Sequence, residues 1–486
     1  MIEKRRGIGV AMPERRQSNR FRRPAERRRP GAPVRLIYNL FLYLLIPVVL
    51  TRLVWRGFRN RGYWRRWGER FGFVARLDGP ATAMDAGSAE SANAPSVARG
   101  PRLGPVGENA GAVLPLIWVH AVSVGEARAS APLVKALMRD YPRHRVLVTT
   151  MTPTGSATVR TLFGDSVAHC YVPYDLPTAV ARFLNRTRPA IGLIMETEIW
   201  PNLFHQCGAR GIPLLLANVR MSEKSARGYR RFAALTRATL ANVALVGAQS
   251  QRDAERMRAL GAPRTEVTGS IKFELDVPAG LRERAQALRA GFGGRPVWVA
   301  ASTRAGEEEL VLEAFARLRA RFTDLLLVLV PRHPERFDTV ARLCRQRGFR
   351  VERRSEHRDA VAADTAILLG DTMGELLLFH AAADVAYIGG SLVPLGGQNL
   401  LEAAAVGTPV VFGPHMFNFS EISRMSLERG AARQVPDSAG LAAAIGDYLA
   451  DPEARRAAGD AGRALVDENR GALARTLALV QRLLKA

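Results

Sequence analysis

The stretch LIWVHAVSVGEARASAPLVKAL, residues 116–137, runs as a buried strand that breaks into a helix, with a carboxylate, Glu126, between them. The carboxyl end of a strand is where an open α/β sheet usually meets its ligand. A carboxylate placed there can take a proton from a reacting hydroxyl. METEIWPN sets Glu196 and Glu198 directly after the apolar run AIGLI, and VPRHPER puts Arg332 and His333 after another apolar run. These acids and cations fall at strand ends, where that rule predicts a ligand.

Glu126 also has a purely structural reading. Ser123-Val-Gly-Glu126 fits the S/T-x-x-E capping box, in which both side chains satisfy helix N–H groups. Pro132 belongs in a first helical turn, so the regular helix is expected to begin near Ser130, leaving Glu126 in the loop. Local spacing leaves both readings open. The strings GDTMGEL and GGSLVPLGGQNLLEAAAVGTPVVFGPH supply glycine-rich turns before helices, whose backbone N–H groups make anion sites. No G-x-G-x-x-G follows the first strand and no Walker A sequence occurs. Together with Arg332, the turns favour a nucleotide monophosphate or diphosphate. Other polar residues read more plainly: His120 as a core histidine, Glu307 to Glu309 as a solvated helix start, and Trp200-Pro201 as packing at a helix entrance. Arg220 and Lys224 are either surface charges or cleft-lining groups.

Positioning these residues takes a particular architecture. LIWVHAVS, RVLVTTM, AHCYVPY, AIGLIME, IPLLLANV and ALVGAQS read as strands alternating with helices, and the pattern restarts with PVWVAAS, LLLVLVPR, FRVERR, TAILLG, DVAYIGG and TPVVFG. Such alternation implies α/β organisation with parallel sheets. Two doubly wound, Rossmann-like domains are expected, over 57–272 and 279–486, with the ligand at the strand ends in the cleft. Residues from about 78 to 112, rich in Ala, Gly, Ser and Pro, read as a flexible insertion.

The formal charge of +25 is concentrated near the start: residues 1–33 hold eleven Lys and Arg against three acids, and 52–70 hold seven arginines against Glu69. The first 33 residues read as a disordered basic extension. Between the blocks lies LIYNLFLYLLIPVVL, fifteen mostly apolar residues, short for a bilayer-crossing helix of about 20. A membrane-anchor helix over 34–56 is expected, lying in or dipping into one leaflet, with its arginines on anionic lipids at the cytoplasmic side. The alternative is an apolar helix docked on the protein itself. Trp55, Trp64 and Trp67 suit a lipid interface better than nucleic acid, so no nucleic-acid partner is expected. The three cysteines, Cys170, Cys207 and Cys344, are too far apart in sequence for a metal motif or disulfide framework. No D-x-D sequence or His/Cys cluster is present, so neither a metal nor a cofactor is expected.

Taken together, HAVSVGE, TTMTPTGSATV, YVPYDLP, METEIWPN, VTGSIKF, VPRHPERF, GDTMGEL and FGPHMFNF resemble, in order, the motifs of the 3-deoxy-D-manno-octulosonic acid (Kdo) transferases of lipopolysaccharide synthesis. RGYWRRWGERFGF resembles that family's membrane-proximal segment. The resemblance runs from about residue 34 to the C-terminus, apart from the insertion. It implies a GT-B-type inverting glycosyltransferase that moves Kdo from CMP-Kdo to the lipid A precursor, lipid IVA, at the cytoplasmic face of the inner membrane. It implies Glu126 as general base, with Glu196 and Lys272 stabilising the transition state. CMP contacts would fall on Pro331 and Arg332, on Met373, Gly374 and Glu375, and on Asn399, Leu400, Leu401 and Glu402. Two departures touch the donor half: Ser302-Thr303-Arg304-Ala305-Gly306-Glu307 stands where the family commonly has S-T-H-E-G-E, and Gly396-Gly397-Gln398-Asn399 where it has G-G-H-N. The basic extension is also foreign to the pattern. The competing readings are another GT-B-type nucleotide-sugar enzyme acting on a lipid-linked sugar, and a membrane-tethered nucleic-acid-binding module.

Overall fold

The computed structural model describes residues 32–59, 61–77, 114–275, 277–356 and 360–485. The expected insertion at 78–112, and all but the last two residues of the expected extension at 1–33, lie outside them. Every apolar run read as a strand forms one. The first sheet holds β1 (Leu116–His120), β2 (Arg145–Thr150), β3 (Ala168–Tyr171), β4 (Pro189–Met195), β5 (Leu214–Val219), β6 (Leu245–Ala248) and β7 (Thr265–Val267). The second holds β8 (Val297–Thr303), β9 (Leu326–Pro331), β10 (Val351–Arg353), β11 (Ile367–Leu369), β12 (Val385–Ile388), β13 (Val410–Phe412) and β14 (Ala432–Gln434).

Both sheets are seven-stranded, ordered β3-β2-β1-β4-β5-β6-β7 and β10-β11-β9-β8-β12-β13-β14, and their strand pairs run parallel. The strands beyond the expected six per half are β7 and β14, three-residue edge strands too short to show a pattern. Helices cover both faces, so the central strands β1 and β9 are buried along their whole length. That is why they read as continuous apolar runs rather than alternating ones. Strand order reverses between β1 and β4 and again between β8 and β12. A crevice opens at such a switch point. His120 is a core residue, as expected, but only half satisfied: its Nδ1 lies 2.9 Å from the Thr149 hydroxyl, which also accepts from Trp118 Nε1 at 2.8 Å, while its Nε2 has no hydrogen-bond partner among the described residues.

Two helices leave the expected layout. The C-terminal helix (Ala472–Leu484) returns to the first sheet, where Ala472, Leu479 and Val480 join the core. Arg475 Nε donates to the Thr268 carbonyl at 2.8 Å and Arg482 pairs with Glu266 at 2.6 Å. The sequence reading, which gave 279–486 to the second domain, does not anticipate this crossing. The N-terminal helix (Ala32–Arg59) has 28 residues, longer than the apolar run inside it, and spans about 42 Å at 1.5 Å per residue. By length and composition its 33–58 stretch suffices to cross a membrane. Leu36, Ile37, Leu40 and Leu44 are 62–70% exposed on its outer side. Its other side meets the first domain, where Tyr38 donates to Asp175 at 2.9 Å and Asn202 donates to Asn39 at 2.7 Å. The helix thus keeps one apolar face outward and docks the other.

Glu307 to Glu309 correct the sequence reading. Only Glu309 is exposed; Glu307 and Glu308 are fully buried. The Glu307 carboxylate accepts from the Tyr387 hydroxyl at 2.6 Å and from the backbone N–H groups of Arg304, Gly390, Ser391 and Leu392 at 2.6–3.1 Å. One side chain therefore ties the turn after β8 to the glycine-rich turn after β12, where Gly389 passes so close that a β-carbon would meet the Ser302 carbonyl at 2.5 Å. A buried carboxylate is tolerable because every lone pair finds a donor. Glu307→Ala should lower stability by about 3 kcal/mol or more, since it strands several buried donors at once, whereas Glu309→Ala should change it by less than ~0.5 kcal/mol. Chemical denaturation of the two variants checks the contrast.

Candidate active site

Glu126 sits at the first switch point, where the structure bears out the capping reading. It is not in a loop: a short helix (Val124–Ala129) starts before it, breaks at Ser130, and a second helix (Ala131–Asp140) carries Pro132 in its first turn. Ser123 Oγ accepts from the Glu126 N–H at 3.3 Å, while the Glu126 carboxylate accepts from Val122 N–H at 2.8 Å and Ser123 Oγ at 3.1 Å. The cap fixes the rotamer. It does not quench the acid. Burial pushes the carboxyl up to about 7, with the charges of Glu198 and Glu196 adding to the rise against the two donors. Such a carboxylate is poised as a base near neutral pH.

Glu196 and Glu198 follow β4, the strand beside β1 across the reversal. Glu196 is left-handed at φ 55°, as are Asn218 (57°) within the bulged stretch of β5 and Ser302 (58°) near the end of β8. Side chains in that region cost about 1–2 kcal/mol each, a strain that concentrates at functional sites. The end of β5 positions two of the expected residues together. The Glu196 N–H donates to the Ala217 carbonyl at 2.9 Å, and Asn218 Oδ1 accepts from the Ile271 N–H at 3.1 Å. Lys272, in the turn Ile271–Phe273, thereby places Nζ 3.9 Å from Glu196 Oε1 and 5.7 Å from the ring centre of Phe419, which belongs to the second domain. Arg220 also crosses the cleft, donating to Ser420 Oγ at 3.2 Å.

The second domain presents its residues at the ends of β9, β11 and β12. Arg332 follows β9, and its N–H donates to the Thr303 carbonyl at 3.0 Å. Its guanidinium is held below its ordinary range by burial first, then by the positive charges of Arg128 and Arg304. Arg128 stands two residues after Glu126, so the short catalytic-side helix of the first domain adds a cation to this cluster. Three like charges gathered this way suit a polyanionic ligand. Glu402 is buried beside Arg332, and burial raises its carboxyl despite the hydrogen bond at 3.0 Å from Asn399 Nδ2. Asn399 Oδ1 accepts from the Leu401 N–H at 3.2 Å; Leu400 and Leu401 are core side chains whose backbone shapes the turn. Met373 is 72% exposed, Gly374 turns at φ 83° where a side chain is strained, and Glu375 is gripped by Arg354 at 3.1 Å. Pro331 closes β9. β11 pairs with β9, which brings the 373–375 turn beside Pro331–Arg332.

Sequence reasoning did not single out Arg128 or Asn218, named Arg304 only as a departure from the family pattern, and read Glu307 as a solvated helix start. Arg128 was findable, since it lies within a turn of Glu126. Arg304 stands at the family's histidine position and lies 2.7 Å from His333 Nε2, with Nη1 as donor to a neutral ring. Burial and then Arg304 hold His333 below its ordinary range. The other two carry no local signal. Among the described residues no group of three His, Cys, Asp or Glu side chains is placed to hold a metal.

The comparisons with known proteins agree with this geometry. Residues 65–275 match a family model described as 3-deoxy-D-manno-octulosonic-acid transferase, and 307–465 match one described as glycosyl transferases group 1. The chain is 43% identical to the 3-deoxy-D-manno-octulosonic acid transferase of Haemophilus influenzae, over 75% of this chain and 86% of that one. It is 42% identical to that of Bordetella pertussis, over 77% and 89%. A solved structure described as the C-terminal CMP-Kdo binding domain of WaaA from Acinetobacter baumannii is 35% identical, covering 39% of this chain and 98% of its own, with TM-score 0.37. With paired acids at one switch point, clustered cations at the other and identity of this extent across both halves, the chain belongs to the Kdo transferases, glycosyltransferases of lipopolysaccharide biosynthesis.

Proposed function

We propose that this Kdo transferase takes Kdo from CMP-Kdo and places it on a phosphorylated, acylated disaccharide, the lipid A precursor lipid IVA. One observation carries the mechanism: Glu126, raised to about 7, stands at the switch point among two further acids, with Lys272 close to Glu196. An acceptor hydroxyl attacks the anomeric carbon of Kdo, a new C–O bond forms, and the C–O bond to CMP breaks. The electron pair leaves on the CMP phosphate, and the hydroxyl proton passes to Glu126. Attack from the face opposite the leaving group inverts the anomeric centre, as in inverting glycosidases.

The remaining residues offset charge. Arg332, supported by Arg304 and Arg128, faces the phosphate, where a planar guanidinium suits the oxygens. Glu402 and Asn399 meet the nucleoside, and the 373–375 turn supplies backbone contacts near it. Lys272 neutralises the Kdo carboxylate, and Glu196 stabilises positive character developing at the anomeric carbon. The exposed leucines of the N-terminal helix insert into the cytoplasmic leaflet of the inner membrane, with arginines 52–70 on anionic head groups. Incubating the protein with CMP-Kdo and lipid IVA, then weighing the lipid by mass spectrometry, tests the whole reading: a lipid with no added Kdo mass overturns it.

Glu126→Gln keeps the cap, because glutamine serves at that position of the box, and removes the base. Single-turnover transfer should fall by roughly 10²–10⁴-fold with CMP affinity retained. Near-normal transfer would remove Glu126 from the mechanism. In the wild type, transfer should decline as pH falls below about 7, because protonation disables the base. The linkage sign runs the other way for stability: a folded pKa above the ordinary 4.5 means stability drops as pH rises from there to about 7. The Gln variant should lack that drop, which thermal unfolding between pH 5 and 8 reads directly.

Arg332→Ala should weaken CMP binding by about tenfold or more while leaving a neutral sugar analogue unaffected; unaltered CMP affinity by calorimetry removes it from the site. Replacing Leu36, Leu40 and Leu44 together by serine should release much of the protein from membranes, whereas high salt alone should release less, because apolar burial is not screened. Full retention of the triple variant in the membrane pellet overturns the anchor assignment.

A further inference from the structure

The docked side of the N-terminal helix does not close onto the first domain. It roofs a cavity of about 320 Å³, within the range of small-molecule pockets. Leu42, Leu45 and Val49 line it from the helix, and Phe71, Leu176 and Trp200 from the domain. These helical positions are only half-buried, although they face the protein. Deep on one side, the Asp175 carboxylate is already satisfied by Asn202 N–H at 3.0 Å, Leu203 N–H at 2.8 Å and the Tyr38 hydroxyl. What is left open is therefore apolar space, which takes apolar groups rather than water.

Charge surrounds this space on one flank. The Tyr174 hydroxyl, on the cavity wall, lies within the fields of Arg70, Arg56 and Arg52. Arg56 and Arg70 both stack near Tyr63, at 5.6 and 5.9 Å, and Arg70 and Arg66 near Tyr171, at 4.3 and 5.0 Å. Arg66 is neutralised by Glu69 at 2.6 Å. Arg70 is 2% exposed; Nη1 donates to the Met151 carbonyl and the side chain also hydrogen-bonds Tyr174, while its Nε and Nη2 have no hydrogen-bond partner among the described residues. A buried guanidinium with donors unspent is costly unless an anion meets it. On another side its wall leads towards the acids: Trp200, which lines the cavity, donates from Nε1 to Glu198 Oε2 at 2.9 Å, and Glu198 is one of the charges that raises Glu126.

From this juxtaposition we infer that the cavity under the N-terminal helix is a binding site for one acyl chain of the anionic lipid acceptor, with the Arg52, Arg56 and Arg70 flank meeting its phosphate. The inference rests on the transferase reading above and adds to it the means of acceptor selection. A chain held beneath the helix tethers the headgroup beside Glu126. The apolar outer face of the same helix stays in the bilayer, so the acceptor need not leave the membrane to be bound. Selection for an acylated acceptor follows, because each buried methylene contributes to affinity.

The test uses the full chain with CMP-Kdo and two acceptors, the acylated phosphorylated disaccharide and its fully deacylated counterpart. Wild type should prefer the acylated acceptor by about a hundredfold in kcat/KM, and Val49→Trp and Leu45→Trp, which fill the cavity, should cut that preference by about tenfold, chiefly through KM. Thermal midpoint and CMP affinity measured on each variant show whether it is folded. Independently, an acceptor with a photoreactive group in mid-chain should label wild type within 42–50 or at Ile199 and Trp200. An unchanged preference in both folded variants, or labelling confined to Leu36, Leu40 and Leu44, overturns the inference while leaving the transferase reading intact. A wild type that transfers to neither acceptor overturns the transferase reading, and the inference with it.

Discussion

Parallel pairing constrains this protein more than any other feature. When every strand in a sheet runs the same way, all carboxyl ends gather on one edge, and the turns leaving that edge must carry whatever chemistry the domain performs. Here the rule applies twice. Glu126 and Glu196 leave adjacent strands of the first sheet, and Arg304, Arg332 and Glu402 leave neighbouring strands of the second. The left-handed backbone at Glu196, Asn218 and Ser302 shows how sharply some of these exits must turn. Lys272 against Phe419 and Arg220 against Ser420 then bring the two edges into one cleft.

Within that cleft, charge is arranged by contrast. The first domain buries Glu126 close to Glu198 and Glu196, and burial first, then those charges, keep its affinity for a proton near neutral pH. The second buries Arg332, whose guanidinium is held below its ordinary range by burial first and then by the charges of Arg128 and Arg304. Under the proposed reaction each cluster meets its complement: a proton for the acids, a phosphate for the cations. The cost is met by rigid support, seen best in Glu307, whose carboxylate collects five donors and holds two turns of the donor half together. The C-terminal helix adds a second tie by returning to the first sheet.

The N-terminal helix belongs to the same logic rather than standing as a separate anchor. Its two apolar faces do different things. Leu36, Leu40 and Leu44 point away from the protein, while Leu42, Leu45 and Val49 roof a cavity that ends at Trp200 beside the acids. Tyr38 and Asn39 pin it through Asp175 and Asn202, so the helix is registered against the active site and does not swing freely on a tether.

Much of this was legible in the residue order. Twelve apolar runs, their alternation with helical patterns, the acid or cation after several of them and the apolar stretch between arginines are local features with local causes: backbone period, burial on both faces, turn chemistry. The motif strings carried the family. What the chain order could not say is which polar residues end up buried together. Glu307 looks like any acidic helix start until Tyr387 and the turn after β12, some eighty positions away, close over it. Glu126 reads equally as a cap or a base, and only the fold shows the cap formed and the carboxyl raised, by burial first and then by Glu198 and Glu196. The three-residue edge strands, the crossing of the C-terminal helix and the cavity beside Arg70 likewise depend on contacts between distant segments. Burial, and the proton affinities and unpartnered charges that follow from it, belong to such contacts, so tertiary structure alone decided them.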